Sequence, residues 1–161
     1  MSSLPATADL YDAHGEKLRV LAPIFHNYGG VLDFAGPVVT LKVYEDNSLV
    51  RGALEEAGEG RVLVIDGGGS LRCALVGDNL AELGCRNGWA GIVVYGCIRD
   101  SAPISTIAIG VKAIATNPRK SVKKGEGERD VVLRFAEVTV APGDYLYADS
   151  DGVVLADKKL H

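Results

Sequence analysis

The sequence predicts an α/β fold with a central strand–helix–strand unit. Arg61–Ile65 and Ile92–Tyr95 are short runs of branched apolar residues bounded by glycine, a pattern that is typical of buried strands. Between them, Asp78–Arg86 has helical spacing, with Leu80 and Leu83 available for one inward face. Two such strands joined by a helix indicate a βαβ unit.

Composition predicts one domain over residues 1–161, because a chain of this length with 47% hydrophobic and 24% charged residues can bury a core. The formal net charge of -4 disfavours direct binding to nucleic-acid phosphates. No apolar run approaches the roughly 20 residues that span a bilayer, and the N-terminus lacks the pattern of a secretory signal. Three cysteines without CxxC spacing indicate reduced thiols and a cytoplasmic protein, not a disulfide framework or a zinc site.

The rest of the chain alternates between predicted strands and helices. The predicted helical segments are Leu4–Leu21, broken near His14-Gly15 and capped by Thr7 or Asp9, and Ser48–Ala57, which follows a turn at Glu45-Asp46-Asn47. The predicted strands are Pro37–Tyr44, Val131–Phe135, Glu137–Val140, Tyr145–Ala148 and Val153–Ala156. Ile104–Ile107 and Val111–Ala115 form two short strands or a helix–strand pair. Pro118–Arg129 is expected to be a loop, and the tail Asp157–His161 is expected to fray.

Polar residues collect where the central unit places its strand ends and its helix start. Gly77-Asp78-Asn79-Leu80 begins the predicted helix, where Gly77 permits a sharp bend and Asp78 can cap the first turn. Arg99-Asp100 closely follows the second strand. Ligands of α/β units bind at strand ends and helix N-termini, so we predict a site here. The alternatives are that Asp78 is only a helix cap and that Arg99-Asp100 is a surface ion pair.

Other polar motifs allow two interpretations each. Gly67–Gly69 lacks the Lys-Ser/Thr of a phosphate-binding loop, which favours a tight turn. Asp66 either faces a pocket or belongs to that turn. Lys120 and Lys123 either reach a second substrate carboxylate or are solvated loop charges. Asp149–Gly152 lacks the remaining ligands of a calcium loop and is interpreted as a turn.

A family resemblance extends over nearly the whole chain. It rests on GGSLRCALVGDNLAELGCRNGWAGIVVYGCIRD, preceded by NYGG and FAGPVVTLKVYEDN and followed by VAPGDYLYADSDGVVL. These motifs resemble the family named for the regulator of ribonuclease E activity A, which includes class II 4-hydroxy-4-methyl-2-oxoglutarate aldolases. The aldolases carry an aspartate, twenty intervening residues and then Arg-Asp, a spacing that Asp78 and Arg99-Asp100 match here. Members known as ribonuclease regulators can lack these aspartates.

The resemblance implies a layered β/β/α fold like that of a phosphohistidine swivelling domain, assembled as a homotrimer with sites near subunit boundaries. It also implies a lyase that binds a divalent cation (Mg²⁺ or Mn²⁺) and a small 2-oxo acid. Such an enzyme would cleave 4-hydroxy-4-methyl-2-oxoglutarate to two pyruvates, with oxaloacetate decarboxylation as a side activity. The alternative function is a regulator that binds ribonuclease E and inhibits RNA processing.

Within the implied site, each residue type suits one task. A hard cation prefers oxygen ligands and keeps several waters, so Asp100 is expected to bind it directly and Asp78 through a water. The planar guanidinium of Arg99 suits the substrate C1 carboxylate. The backbone N–H groups of Gly77, Asp78, Asn79 and Leu80 lie at a helix start, where anions are favoured, and are expected to hold the pyruvyl oxygens.

Overall fold

The computed structural model describes residues 3–161, which form four α-helices, a short 3₁₀ turn and twelve strands. The helices are α1 (Thr7–His14), α2 (Ser48–Leu54), α3 (Asp78–Arg86) and α4 (Ser101–Ile104). The strands are β1 (Arg19–Val20), β2 (His26–Asn27), β3 (Phe34–Lys42), β4 (Val62–Asp66), β5 (Ala74–Val76), β6 (Gly91–Ile98), β7 (Gly110–Thr116), β8 (Glu128–Arg129), β9 (Leu133–Phe135), β10 (Val138–Val140), β11 (Tyr145–Asp149) and β12 (Gly152–Ala156). Within this range, no helix is long and apolar enough to cross a membrane.

Four parallel strands, in the order β3-β4-β6-β7, form the centre of the main sheet. The predicted central unit is confirmed: β4 and β6 pair in parallel, and α3 lies between them in the chain. The helix has the predicted bounds, whereas β4 begins and ends one residue later than Arg61–Ile65. Strand β6 extends past Tyr95 to Ile98, which carries the chain to the candidate site.

Side chains of the central strands alternate between two cores. On β4, Leu63 and Ile65 belong to the core that α2 and α3 cover. Val62 and Val64 belong to the opposite core, which the β9–β10 hairpin and the β11–β12 pair cover. Strands buried on both faces have continuous apolar sequences, which is why these runs stand out. The predicted layered β/β/α fold is therefore confirmed.

Strand β3 takes part in three pairings, including a short one with β8. The two longer pairings divide β3. Its first part, from Phe34 to Pro37, runs antiparallel to β11, and its second part, from Val38 to Lys42, runs parallel to β4. Phe34 packs directly on glycines of two central strands. A Cβ built on Gly91 would lie 2.3 Å from the Phe34 ring, and one built on Gly110 would lie 2.1 Å from it. The ring therefore fills the space that side chains at these two positions would need.

Strands β4 and β5 pair with the same edge of β6, β4 along its first part and β5 along its last part. Strand β4 pairs with β6 as far as Asp66 and Tyr95. Strand β5 then takes over, pairing Ala74 with Cys97 and Val76 with Ile98. Since β5 and β6 are parallel, they end side by side, and the residues that follow them meet at the same edge of the sheet.

The N-terminal prediction is wrong in its extent. The predicted break near His14-Gly15 is confirmed, since α1 ends at His14 and Gly15 has a left-handed φ of 52°. Beyond it the helix does not resume: a 3₁₀ turn leads into β1, which pairs with β12. Neither Thr7 nor Asp9 caps α1. Its N-cap is Ala6, and the carboxylate at this helix end belongs to Asp149, which accepts hydrogen bonds from the Thr7 N–H and hydroxyl at 2.8 Å each.

The C-terminal tail is also ordered differently from the prediction. Asp157–His161 was expected to fray, but the Leu160 N–H donates to the Tyr147 hydroxyl at 2.8 Å, and His161 Nδ1 lies 2.7 Å from the same oxygen. Because Tyr147 is buried, this contact ties the tail to the domain.

Other predicted elements differ only in detail. Helix α2 ends at Leu54, not Ala57. Val111–Ala115 lies within β7 as predicted, but in Ile104–Ile107 only Ile104 is helical, as the last residue of α4, and the rest is a turn. The segment Pro118–Arg129 is a loop apart from β8, and the hairpin and the last two strands are confirmed.

Candidate active site

A cleft of about 150 Å³ opens where β5 and β6 end. It is lined by Asn47, Arg51, Ala74, Val76, Gly77, Asp78, Asn79, Leu80, Arg99, Asp100, Lys120, Ser121 and Lys123. The structure thus brings together every residue that the sequence predicted for the site. It adds Ala74, Val76 and Ser121, together with Asn47 and Arg51, which sequence reasoning missed because they lie far from the motif in the chain.

Asp100 stands at the turn between β6 and α4. Its backbone is left-handed, with φ 58° and ψ 42°, a conformation that aspartate and asparagine tolerate better than most residues. Its Oδ2 accepts a hydrogen bond from the Asp78 N–H at 3.1 Å. The Asp100 carboxylate is therefore held at the N-terminus of α3.

The interpretation of Asp78 as the cap of α3 is wrong. Gly77 is the N-cap, Asp78 is the first helical residue, and the Asp78 side chain makes no capping hydrogen bond. Gly77, at the N-cap position, has no side chain to accept from the first turn, and the Asp78 N–H donates to the Asp100 carboxylate instead. The Asp78 carboxylate has no hydrogen-bonding partner in residues 3–161 and is left for the cleft.

Gly77 is required by close packing, not by backbone conformation. Its φ of −120° and ψ of −172° are extended and open to any residue. However, a Cβ at this position would lie 2.8 Å from Oδ2 of Asp100 and 3.5 Å from Cγ of Arg99. Glycine therefore allows the Asp100 carboxylate to approach the start of α3.

Arg99 is anchored by its backbone and leaves its guanidinium without a carboxylate partner. Its N–H donates to the Val76 carbonyl at 2.9 Å, and Nη1 makes one long hydrogen bond, 3.4 Å, to the Pro118 carbonyl. Across residues 3–161, neither Arg99 nor Asp100 takes part in an ion pair within 4.0 Å. The surface ion-pair interpretation of Arg99-Asp100 is thus contradicted.

The cleft is more positive than the rest of the protein. Four cationic and two anionic side chains line it, although the whole chain carries a formal net charge of -4. The four cations are Arg51, Arg99, Lys120 and Lys123. Concentrated positive charge in a concave site raises the local concentration of anions, so the cleft suits an anionic ligand.

The segment from Asn117 to Glu126 forms one wall and is fixed along its length. The Arg119 carbonyl accepts from the Ala74 N–H at 2.7 Å, the Ser121 hydroxyl donates to Asn47 Oδ1 at 2.8 Å, and the Val122 N–H donates to the Glu45 carbonyl at 3.2 Å. Asn47 in turn donates to the Leu75 carbonyl at 3.0 Å, next to the cleft. The wall is therefore tied to the strand that leads into α3.

A buried carboxylate, Asp46, anchors the far end of this wall. It is 2% exposed and accepts hydrogen bonds from the N–H groups of Ser48, Lys124 and Glu126 at 2.9–3.1 Å, and from the Ser48 hydroxyl. Burial raises the pKa of Asp46, but the hydrogen bonds from these groups outweigh it and hold that pKa below its ordinary value. The sequence indicated a capping turn here, but only the contact with Ser48 is local.

The oxygen donors of the cleft fit a hard divalent cation. Oδ1 of Asp100 and both carboxylate oxygens of Asp78 have no protein donor within residues 3–161, and no histidine or cysteine lines the cleft. The same residues contain no group of three or more His, Cys, Asp or Glu that could hold a metal ion. One or two carboxylates suffice for Mg²⁺ or Mn²⁺, since such ions retain several waters.

The remaining polar motifs lie outside the cleft. Asp66 accepts from the Gly68 N–H at 2.8 Å, and Gly68 and Gly69 have left-handed φ values of 69° and 70°, which confirms the tight turn. Asp66 also borders a second cavity, on the side of Tyr44 and Glu128. The three cysteines are free thiols, and burial raises the pKa of Cys73 and Cys97.

The fold and the cleft together define a mixed α/β protein with a charged site at parallel strand ends. The family model described as RraA-like, Aldolase/RraA, matches residues 7–155. The chain therefore belongs to the RraA-like family.

Relatives carry three different functional names. A protein of Alkalilimnicola ehrlichii, named "Putative 4-hydroxy-4-methyl-2-oxoglutarate aldolase", is 61% identical over 158 residues, 98% of each chain. A Geobacillus kaustophilus structure described as an S-adenosylmethionine: 2-dimethylmenaquinone methyltransferase has a TM-score of 0.95 and 54% identity over 97% of each chain. The RNA-processing inhibitor RraA from Thermus thermophilus has a TM-score of 0.95 and 47% identity, covering 99% of this chain and 96% of that one. Because these names differ, function must be argued from the site.

Proposed function

We propose that this protein is a divalent-metal-dependent lyase that cleaves 4-hydroxy-4-methyl-2-oxoglutarate to two pyruvates and decarboxylates oxaloacetate as a side activity. One observation carries the proposal. The Arg99 guanidinium and the Asp100 carboxylate line one cleft with Asp78, and none of the three takes part in an ion pair within residues 3–161. The aldolase name of the Alkalilimnicola relative supports the same reaction.

Both proposed reactions break the bond between C3 and C4 of a 2-oxo acid. In the aldol cleavage, the C4 hydroxyl loses its proton, C4 becomes the ketone of one pyruvate, and the bonding electrons pass to C3. In the decarboxylation, C4 leaves as CO₂ and the same electrons pass to C3. Each reaction leaves a pyruvate enolate, which becomes pyruvate when C3 takes up a proton. The shared requirement is stabilisation of negative charge on the enolate oxygen.

Asp100 would hold the cation directly, with Asp78 contacting it through water. When bound, the cation would act as a Lewis acid and stabilise the enolate charge. The Asp100 carboxylate is suited to this role because Oδ1 has no protein donor within residues 3–161 while Oδ2 is oriented by the Asp78 N–H.

Arg99 would bind the C1 carboxylate of the substrate. Its guanidinium offers parallel N–H donors that match a carboxylate, and its only side-chain hydrogen bond within residues 3–161 is the long contact to Pro118. The N–H groups of Asn79 and Leu80 would hold the pyruvyl oxygens, since they lie in the first turn of α3. The Asp78 N–H, predicted for the same role, instead donates to Asp100.

Asp78 would act as the general base and general acid of the reaction. Its carboxylate faces the cleft without a protein partner within residues 3–161, so it can take the proton from the C4 hydroxyl and return one to C3, directly or through one water. Among residues 3–161, Asp78 and Asp100 are the only carboxylates that line the cleft.

Pyruvate release from both substrates tests the proposal. We expect turnover with Mg²⁺ or Mn²⁺ that is lost on adding a chelator. Asp100→Ala should abolish it, and Arg99→Ala should lower it chiefly through a higher KM. No pyruvate from either substrate with either metal would refute the lyase, and wild-type activity in one of the variants would refute the role of that residue.

A second function has its own support in the 47% identity to the RNA-processing inhibitor RraA. In that role the chain would bind ribonuclease E through its acidic surface and slow RNA cleavage. A pull-down with purified ribonuclease E, followed by an RNA-cleavage assay, tests it. Inhibition that persists in Asp100→Ala would show that regulation is independent of the lyase site.

The family also motivates two proposals about the setting of the enzyme. We propose a homotrimer in the cytoplasm, with sites close to subunit boundaries. Light scattering coupled to size-exclusion chromatography would report the mass of the assembly, and a mass of one 16.9 kDa chain would contradict the trimer. Cell fractionation checks the location.

A further inference from the structure

We infer that Asn117 is a positioning residue, which fixes the turn whose Pro118 carbonyl orients the Arg99 guanidinium toward the cleft. Asn117 does not itself line the cleft, so it acts through Arg99 and not on the substrate. The inference rests on the proposed function for one point, the binding of a 2-oxo acid carboxylate by Arg99. It explains how a guanidinium without an acidic partner is kept ready for that carboxylate.

The Arg99 side chain borders two cavities. It lines the cleft, and it also lines a neighbouring cavity of about 290 Å³, whose other lining residues are Asp100, Ser101, Thr116, Asn117 and Pro118. An arginine side chain has many rotamers and loses much conformational freedom when it is ordered. A guanidinium that lies between two open spaces therefore needs a contact that favours one of its orientations.

Two contacts limit where this guanidinium can lie. On one side the Arg99 stem passes close to Gly77, where a Cβ would lie 3.5 Å from both Cγ and Nε of Arg99. On the other side Nη1 donates to the Pro118 carbonyl at 3.4 Å, which is a long hydrogen bond. Because this is the only hydrogen bond of the side chain within residues 3–161, the orientation of the guanidinium depends on where the Pro118 carbonyl lies.

Asn117 ties the turn around Pro118 to the strands that end at the cleft. Its N–H donates to the carbonyl of Ile98, the last residue of β6, at 3.0 Å. Its Nδ2 donates to the carbonyl of Leu71, ahead of β5, at 2.6 Å, and its Oδ1 accepts from the Arg119 N–H at 2.9 Å. The contact with Arg119 is local, whereas the contact with Leu71 joins residues 46 positions apart. Both polar atoms of the Asn117 side chain thus hold the turn in place.

Pro118 makes this turn stiff. The proline ring locks its own φ and disfavours a helical backbone at the preceding residue, Asn117. The position of the Asn117 side chain therefore determines the position of the Pro118 carbonyl, which receives the guanidinium. A side chain that is already ordered loses less entropy when a ligand binds. Asn117 should accordingly strengthen carboxylate binding by Arg99 without contacting the ligand.

The mobility of the Arg99 guanidinium tests the inference in the full chain without any ligand. Nuclear magnetic resonance relaxation of the arginine Nε–H groups measures this mobility, and Arg99→Lys identifies the signal of residue 99. Arg61, whose Nε donates to the Gly58 carbonyl at 2.9 Å, is the internal reference. The order parameter of Arg99 should be lower in Asn117→Ala than in the wild type, while that of Arg61 stays the same. An unchanged value for Arg99 would overturn the positioning role.

Pyruvate binding tests the consequence for the ligand. Calorimetry with Mg²⁺ in every sample should show about 3–10-fold weaker binding by Asn117→Ala, the effect of ordering one long side chain. Asn87→Ala is the matched control. Asn87 is also half-buried and donates its Nδ2 to a distant carbonyl, that of Leu54, at 2.8 Å, but it does not line the cleft. This control should keep the wild-type affinity and the wild-type mobility of Arg99. An equal loss of affinity in both variants would indicate a general structural defect and would contradict the positioning role.

Asn117→Ser replaces the alanine variant if that variant does not fold. A serine hydroxyl can still accept from the Arg119 N–H, but it is too short to reach the Leu71 carbonyl. The order parameter of Arg99 should again be lower than in the wild type, and an unchanged value would count against the inference.

Failure of the inference and failure of the proposed function give different results. If Arg99 becomes mobile in Asn117→Ala but pyruvate affinity stays the same, or the wild type binds no pyruvate, Asn117 does orient Arg99 and the carboxylate-binding task of Arg99 is wrong. If both substrates release pyruvate but the mobility of Arg99 is the same in wild type and variant, the lyase stands and the positioning role is wrong.

Discussion

Replacing Gly77 by alanine would place a methyl group 2.8 Å from Oδ2 of Asp100 and 3.5 Å from Cγ and Nε of Arg99. Ordinary van der Waals contact begins at 3.4 Å, so the Asp100 carboxylate must move by about 0.6 Å. That movement would strain or break its 3.1 Å hydrogen bond with the Asp78 N–H. The substitution therefore displaces the Asp100 carboxylate, which we propose as the metal ligand, without altering its chemistry.

The expected result is a large loss of activity with a small loss of stability. A misplacement approaching 1 Å in a catalytic group can lower the rate about 10²-fold, so we expect kcat/KM to fall about 10–100-fold. The free energy of unfolding should fall by no more than about 1 kcal/mol, because one partly exposed hydrogen bond is lost and the extended backbone accepts alanine. Pyruvate release and urea denaturation measure the two quantities on the same sample.

Gly52→Ala supplies the matched control. Gly52 lies within α2, and a Cβ there meets no atom within 4 Å. This variant should keep wild-type kcat/KM and gain about 0.5–1 kcal/mol of stability, since alanine favours a helix interior. If Gly77→Ala kept more than half of the wild-type kcat/KM, the geometric argument that places Asp100 at the reaction would be refuted.

Three further substitutions separate charge, geometry and stability. Asp100→Asn keeps a residue that tolerates the left-handed backbone, so thermal denaturation should show a nearly unchanged Tm while kcat/KM falls at least about 100-fold, and a smaller fall would argue against direct metal binding. Arg99→Lys retains the charge but loses the paired donors, so steady-state kinetics should show kcat/KM about tenfold lower, chiefly through KM; unchanged kinetics would show that no bidentate contact is made. Asp46→Asn should cost about 2–4 kcal/mol at pH 7, because the amide leaves buried N–H donors without an acceptor. The folded-state pKa of Asp46 is lowered, so ionised Asp46 adds to the free energy of unfolding. This stabilisation is complete above the unfolded-state pKa of about 3.9 and is lost as the pH falls below that value. Urea denaturation should therefore show the gap between wild type and variant narrowing below about pH 4, and a gap independent of pH would contradict the buried carboxylate.

Local patterns were sufficient for the centre of the fold. The bounds of α3 follow from Gly77 before it and from its helical spacing, and β4 and β6 stand out because strands buried on both faces leave no polar residues in the run. The hairpin and the β11–β12 pair were recognisable for a related reason, since turn residues separate short apolar runs.

Features that depend on distant partners were not predictable from the sequence alone. The helix starts are the clearest cases: the first N–H of α1 donates to Asp149 and that of α3 to Asp100, whereas sequence reasoning assigned capping to Thr7, Asp9 and Asp78. A carboxylate 142 positions away leaves no local signal. The packing of the C-terminal tail on Tyr147 likewise depends on a residue outside the tail, so it leaves no local sequence signal.

The candidate site was predictable in part. Arg99-Asp100 and the start of α3 could be found because both follow buried strands, and the resemblance supplied their proposed tasks. Arg51 and the wall that Asp46 anchors could not, because hydrogen bonds between residues about 80 positions apart decide where that wall lies. The roles proposed for Arg99 and Asp100 remain predictions that the experiments above test.

The contact of Phe34 with Gly91 and Gly110 constrains how this sequence can vary. The Phe34 ring fills the space beside both glycines. A methyl group gained at either glycine therefore requires a smaller side chain at position 34. Random mutagenesis libraries should accordingly recover changes at Gly91 or Gly110 only in company with a change at Phe34. Redesign of this core would therefore have to change Phe34 together with whichever glycine is replaced.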